Sequence, residues 1–294
     1  MAKKKIFGLS AALITPFGAD GGVDAARLVS HARQVLSEGC DSVTVFGTTG
    51  EGYGLSFSER AAIFGALAGG GVEPARSVYA GVSAVTFDDA AAQSRLALVW
   101  GARGLLFAPP FYLKGLEDEG LYAWFSRAFE GVGETLRGVI LYNIPGQTAV
   151  TLSVALVDRL KKAFPGVIVG VKDSSGSWES AEAYLAAHGE LAILVGEERL
   201  LARAVAKGAE GSICGLANIA PQLLRPIIYK GKDNDKVRRL VDMITGFPVM
   251  PTVKALTAHV RKDKAFLRVR PPLSQLSPGL QRKAIAVYEK VMAS

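Results

Sequence analysis

The residue of this chain best placed to do chemistry is a lysine that closes an apolar β-rich run. Lys172 follows Val167-Ile168-Val169-Gly170-Val171, and period-two alternation puts it on the same face as Ile168 and Gly170. Lysine is almost never fully buried without a partner or a task. Desolvation lowers its pKa and yields the neutral amine that attacks a carbonyl carbon. A salt bridge to Asp173 or Glu51 is the structural alternative for the same side chain. Tyr142 ends the preceding run and shares the parity of Ile140. Its phenol could stand beside the amine and shuttle protons, or simply line the interior. Gly47-Thr48-Thr49-Gly50 offers two hydroxyls and several backbone N–H groups between flexible glycines, a cradle for a carboxylate, with Glu51 placed to brace it. An amine for a ketone, a phenol for protons and a cradle for a carboxylate together describe Schiff-base chemistry on a small 2-oxo acid.

The elements that must position these groups recur along the chain. Eight short β-rich runs appear: Leu9 to Ile14, Ser42 to Phe46, Ser77 to Val82, Gly104 to Ala108, Gly138 to Tyr142, Val167 to Val171, Leu191 to Val195 and Gly211 to Cys214. They read as continuously apolar instead of alternating, as strands covered on both faces do. Between them, helical spacing fills 24 to 38, 86 to 99, 116 to 130, 151 to 163, 178 to 187 and 198 to 207, and Ser56 with Glu59 forms a capping box ahead of Ala61, Ile63 and Phe64. Eight β/α units predict a closed (β/α)₈ TIM barrel over 1–220, whose site forms at the C-terminal strand ends. The polar strand-end residues Thr15, Thr48, Tyr142, Lys172 and Glu197 then gather at one rim. From 221 to 294 only helical patterns remain (219 to 230, 233 to 246, 252 to 261, 278 to 292), broken by prolines. They predict a C-terminal helical extension packed on the barrel as part of one structural unit.

Composition narrows the function classes. A chain of 294 residues with 49% hydrophobic side chains buries one large core. The net charge of +7 lies in the last quarter, where 221–294 hold 15 Lys/Arg against 5 Asp/Glu, while 1–220 hold 19 against 22. These basic runs lack interleaved aromatics or a recognition motif, so solvated helix faces are expected and nucleic acid is not. No apolar stretch approaches the roughly 18 residues of a membrane span. The basic start Met-Ala-Lys-Lys-Lys precedes too short an apolar run for a signal peptide, and a cytoplasmic protein is expected. Cys40 and Cys214 are read as small core residues. His31, His188 and His259 fall outside the strand ends and take structural or surface roles. With no metal-site, P-loop or dinucleotide motif, no cofactor and no metal are expected.

Three segments, Gly47-Thr48-Thr49-Gly50-Glu51, Tyr142-Asn143-Ile144-Pro145-Gly146 and Val171-Lys172-Asp173-Ser174-Ser175-Gly176, resemble the dihydrodipicolinate synthase / N-acetylneuraminate lyase family in identity, order and spacing. The likeness extends from Ala12-Leu13-Ile14-Thr15-Pro16-Phe17 through Gly208-Ala209-Glu210-Gly211-Ser212 and Asn218 to Pro251-Thr252-Val253-Lys254. It implies a class I aldolase cycle in which Lys172 attacks pyruvate, Tyr142 passes protons, and Thr48 with Tyr112 completes a relay. It further implies that Tyr112 comes from a neighbouring subunit of a homo-oligomer, typically a tetramer of dimers. Gly196 and Ile213 then line the pyruvate pocket, and the N–H groups of Thr48 and Thr49 hold its carboxylate, with Gly47 and Glu197 among the substrate-binding positions. One position departs from the synthases, which usually carry arginine where Gln147 stands. A neutral amide cannot make arginine's bidentate pair with a carboxylate on the incoming aldehyde. The loss costs about 1.5–3 kcal/mol of second-substrate binding. A lyase acting on a 2-oxo-3-deoxy acid is therefore favoured, with dihydrodipicolinate synthase proper as the alternative. A non-catalytic barrel that binds a 2-oxo acid and a phosphate-binding barrel enzyme are the remaining readings.

Overall fold

The computed structural model describes residues 6–294, so the basic start of the chain lies outside the described residues. Eight parallel strands close on themselves in sequence order: β1 (Gly8–Ala12), β2 (Ser42–Val45), β3 (Val78–Val82), β4 (Gly104–Phe107), β5 (Val139–Asn143), β6 (Ile168–Asp173), β7 (Ala192–Val195) and β8 (Gly211–Cys214), with β8 pairing back to β1. The expected barrel is the observed one.

Helices α1 (Ala25–Ser37), α2 (Phe57–Gly69), α3 (Phe87–Val99), α4 (Asp118–Val132), α5 (Val154–Ala163), α6 (Trp178–Ala187) and α7 (Leu201–Ala206) return the chain between strands. The helix starts are set by local chemistry. Ser56, Thr86, Ser153 and Ser177 each accept a bond from a backbone N–H of the first turn, and Ser56 with Glu59 completes the expected capping box. Three helices begin two or three residues later than their apolar spacing suggests (α4, α5 and α7): Ser153 caps α5, a 3₁₀ turn at Glu198–Leu200 precedes α7, and Glu117 precedes α4 without a side-chain cap.

The core has two parts. A large outer cluster joins the backs of the strands to the helices, including Val43, Leu105, Phe107, Phe125, Phe129, Leu141 and Val171. A smaller inner cluster fills the barrel with Ala12, Tyr79, Leu106, Ala108, Ile140, Tyr142, Leu194 and Ile213. Beyond the barrel run α8 (Pro221–Lys230), α9 (Asp235–Thr245), α10 (Val249–Val260) and α11 (Pro278–Ala293). Val237, Leu240, Val253, Leu256 and Tyr288 from these helices belong to the same outer cluster as the strands, so barrel and extension share one continuous core.

Strand β6 corrects the parity expected for its foot. Val139 pairs with Ile168 but Ile140 pairs with Gly170, an irregularity that leaves Val169 as an extra residue, 41% exposed. Ile168 therefore packs in the outer cluster with Val171, while Gly170 faces inward against Ala192. Lys172 keeps its inward direction, but it does not share a face with Ile168.

Candidate active site

At the mouth of the barrel, Tyr142 on β5 is paired directly with Lys172 on β6, and Lys172 with Leu194 on β7. Both side chains are buried, each 5% exposed. Lys172 Nζ lies 4.2 Å from the centroid of the Tyr142 ring. Neither expected ion-pair partner reaches it. Asp173 points to the other face of β6, where its carboxylate accepts from Asn143 Nδ2 (2.7 Å), Ser175 Oγ (2.9 Å) and Ser180 Oγ (3.2 Å). Glu51 is paired with Lys254 instead. Among the described residues Lys172 has no carboxylate within ion-pair distance.

The rung behind the amine explains how it is held. Asn143 and Asp173 pair on the outer face of the same two strands, and Asn143 Oδ1 accepts from the backbone of Leu152 at 3.0 Å. This buried, fully bonded rung fixes the β5–β6 register and hence the juxtaposition of Tyr142 and Lys172. On the far side, Gly196 brings the chain so close that a Cβ there would meet Ser174 Oγ, with Lys172 Cε at 3.1 Å. Only glycine leaves the lysine stem its present course.

Opposite stands the cradle. The N–H groups of Gly50, Glu51 and Gly52 close turns on Gly47 O and Thr48 O (3.0–3.1 Å), whereas those of Thr48 and Thr49 make no bond among the described residues. The turn is compressed and strained. Phe46 (φ 61°) and Glu51 (φ 55°) are both left-handed without being glycine, a conformation that costs each roughly 1 kcal/mol or more. A Cβ on Gly52 or Gly81 would collide with the backbone of Phe46, and one on Gly50 with Leu13 O. Thr15 Oγ1 donates to Gly50 O (2.6 Å). The buried Arg60 donates to Gly81 O (2.9 Å) and Gly52 O (2.5 Å) and lies over the Phe46 ring. Burial without an anion lowers the Arg60 pKa to about 10.

The open space has two lobes that meet at Thr48, Tyr142, Ile144 and Gln147. One, of about 190 Å³, contains Lys172, Thr49, Gly196, Glu197 and Ile213 and is roofed by α9 and α10 through Ile244, Val249 and Val253. The other, of about 240 Å³, is mostly apolar, with Phe46, Leu106, Ala108 and Phe111 on its walls. Gly47, Thr48, Thr49, Tyr142, Gln147, Lys172, Gly196, Glu197 and Ile213 are thus brought together as expected. Tyr112 is not: it is 78% exposed on the loop after β4, between Phe111 and Leu113, and lines neither lobe. Glu197 sits at the rim with its carboxylate engaged by Arg199.

Two contributors escaped the sequence reading. Glu198 lines the Lys172 lobe, accepts from Leu216 N at 3.3 Å, and has its pKa raised chiefly by burial. Lys254, fully buried in α10, is the only charge in the helical stretch 251–258, a signal that could have marked it. Of the histidines, His31 and His188 are buried in bonds to Asn218 and Val154 O, and His259 faces Glu289. Among the described residues no three His, Cys, Asp or Glu side chains are grouped as a metal site would require, and no helix is long and apolar enough to cross a membrane.

A closed parallel barrel with an unpaired buried lysine and a tyrosine at its mouth defines a lyase of the aldolase type. The chain belongs to the dihydrodipicolinate synthetase family, whose model matches residues 5–289. It is 32% identical to the "Uncharacterized DapA-like lyase" of Chloroflexus aurantiacus over 97% of each chain. To the 4-hydroxy-tetrahydrodipicolinate synthase of an Anaeromyxobacter species it is 32% identical over 80% of this chain and 78% of that one. The crystal structure of dihydrodipicolinate synthase from Agrobacterium tumefaciens superposes with a TM-score of 0.95 and 48% identity, covering 97% of this chain and 99% of the other. A Sulfolobus solfataricus 2-keto-3-deoxygluconate aldolase has the same fold, with a TM-score of 0.85 at 22% identity, covering 97% and 96%.

Proposed function

We propose that Lys172 forms an imine with pyruvate or a closely related 2-oxo acid, and that the protein makes or breaks the bond between its C3 carbon and an uncharged, hydroxylated aldehyde portion. The observation that carries the first half is the buried amine without an ion partner, 4.2 Å from the Tyr142 ring. The amine nitrogen adds to the ketone carbon, the oxygen takes up the two protons that the nitrogen gives up and leaves as water, and the imine remains. Tyr142 is the group within reach to deliver and recover these protons. The carboxylate of the 2-oxo acid is received by the N–H groups of Thr48 and Thr49. Loss of a C3 proton gives the enamine, which adds to an aldehyde. In reverse, retro-aldol cleavage releases the aldehyde. No step as drawn uses a cofactor.

The second half rests on charge. Among the described residues lining the two lobes, Lys172 is the single cation, whereas Glu197 and Glu198 are acidic and Gln147 is neutral. A carboxylate on the second substrate finds no arginine there, while hydroxyl groups find Gln147, Thr48 and Glu198 as partners. The competing reading, condensation of pyruvate with aspartate semialdehyde, is supported by the names of the synthase relatives and by the 48% identity to the Agrobacterium tumefaciens protein. The exposed Tyr112, away from its own chain's cavity, suits a relay completed by a second copy, and with it a homo-oligomer.

Borohydride added in the presence of pyruvate should leave a reduced adduct on the Lys172 peptide, absent in Lys172→Ala; a wild-type protein without the adduct rejects the proposal. Assaying cleavage of a panel of 2-oxo-3-deoxy acids beside pyruvate plus aspartate semialdehyde separates the two substrate readings.

A further inference from the structure

We infer that Lys254 is a positioning residue for the cradle, acting through Glu51, so that the C-terminal helices set the geometry of the carboxylate-binding N–H groups. The inference rests on the cradle reading above.

Glu51 is the last residue of the cradle and carries its left-handed strain (φ 55°) while only 2% exposed. Such a conformation persists only where the surroundings over-determine it. Both carboxylate oxygens are met from outside the barrel loop: Oε1 faces the Lys254 ammonium, and Oε2 accepts from the backbone N–H of Arg270 at 2.9 Å. Lys254 is itself fully buried in α10, donates to Arg268 O at 2.6 Å, and lies 4.3 Å from the centroid of the Phe17 ring. Arg270 covers Phe17 as well, at 4.6 Å, and its guanidinium donates to Gly54 O (2.9 Å), Gly21 O (2.7 Å) and Glu59 (2.7 and 3.1 Å), the partner of Ser56 in the capping box of α2. The cradle is thus clasped from one side by α10 and from the other by the segment after it.

A lysine and a glutamate buried together are weak contributors to stability, because the lost hydration offsets most of their attraction. An apolar pair of similar volume would hold α10 to the barrel at least as well. What an apolar pair cannot do is hold the Glu51 backbone left-handed by pulling on its carboxylate. The pair therefore matters for where the N–H groups of Thr48 and Thr49 point.

The test uses lactate, which carries the carboxylate but no ketone, as a competitive inhibitor of the full-length enzyme acting on pyruvate. Lys254→Met and Glu51→Gln should each raise the lactate inhibition constant and the pyruvate KM about tenfold, the loss of one charge-assisted contact, with kcat changed less than about threefold. In the double variant no unpaired charge is left buried, so Tm should recover part of what the single variants lose while the inhibition constant stays raised. A merely structural pair would make the two move together. Should Lys254→Met fail to fold, Glu51→Gln reads the same clasp from the loop side. Unchanged inhibition constants in the single variants, or recovery of the constant together with Tm in the double variant, would overturn the inference while leaving the cradle intact. Wild-type enzyme that lactate does not inhibit would overturn the cradle reading and this inference with it.

Discussion

Adding a single methyl group beside the amine tests whether its position is what matters. In Gly196→Ala the new Cβ would meet the Ser174 hydroxyl and lie 3.1 Å from Lys172 Cε and 3.2 Å from Ser174 Cβ. The hydroxyl has no bond among the described residues and swings aside, whereas the lysine stem is packed within the barrel mouth. Ordinary contacts begin near 3.4 Å, so Cε must retreat by about 0.3 Å; with about 100-fold lost per 1 Å of misplacement, imine formation should slow roughly fourfold. The backbone at 196 is not left-handed, so the fold should persist with little change in Tm. Rapid mixing with pyruvate and timed borohydride quenching measures the rate of imine formation, and melting controls for the fold. Gly196→Ala/Ser174→Ala should be as slow as Gly196→Ala alone. A wild-type rate in the single variant, or full recovery in the double variant, would refute the argument that the amine's placement limits the step.

Tyr142→Phe keeps the ring packed in the inner cluster but removes the proton carrier, so the same quench assay should show imine formation slowed by about 100-fold with Tm nearly unchanged. Burial holds the His31 pKa down from 6.5 to about 4. The unfolded chain therefore takes up that proton first, and stability is lost as pH falls from 6.5 towards 4, by about 3 kcal/mol. Urea unfolding should show this acid loss in the wild type and not in His31→Gln. For Lys254 the window lies at the other end. Burial lowers its pKa from 10.5 to about 8, so the unfolded state binds the extra proton between these values and the group's stability contribution rises across them, by about 3 kcal/mol. Wild type minus Lys254→Met, measured by urea unfolding at pH 8 and pH 10, should increase; a flat difference contradicts the shift.

Most of the fold was legible because a parallel barrel writes itself as repeated apolar runs with room for a helix between them, and all eight runs became strands. The inward direction of Lys172 and Tyr142 was legible because alternation survives at the mouth of β5 and β6. It failed at Ile168, since an extra residue at Val169 leaves no mark in an all-apolar run. The cradle's glycines were visible, but not that Gly52 and Gly81 are required by the closeness of the Phe46 backbone, a contact across strands. The Glu51–Lys254 pair spans 203 positions in sequence, and nothing local to either residue names the other. Tyr112 shows the opposite limit: its role came from resemblance, and its own chain leaves it turned to the outside.

The surplus residue at the foot of β6 separates two registers within one strand. Below it, Ile168 answers to Val139; above it, Lys172 answers to Tyr142 and is locked by Asn143 and Asp173 on the reverse side. The direction of Lys172 is thereby insulated from the length of the chain that leads up to it. A residue added to or removed from the connection between α5 and β6 should therefore be absorbed below Gly170, leaving the direction of Lys172 unchanged.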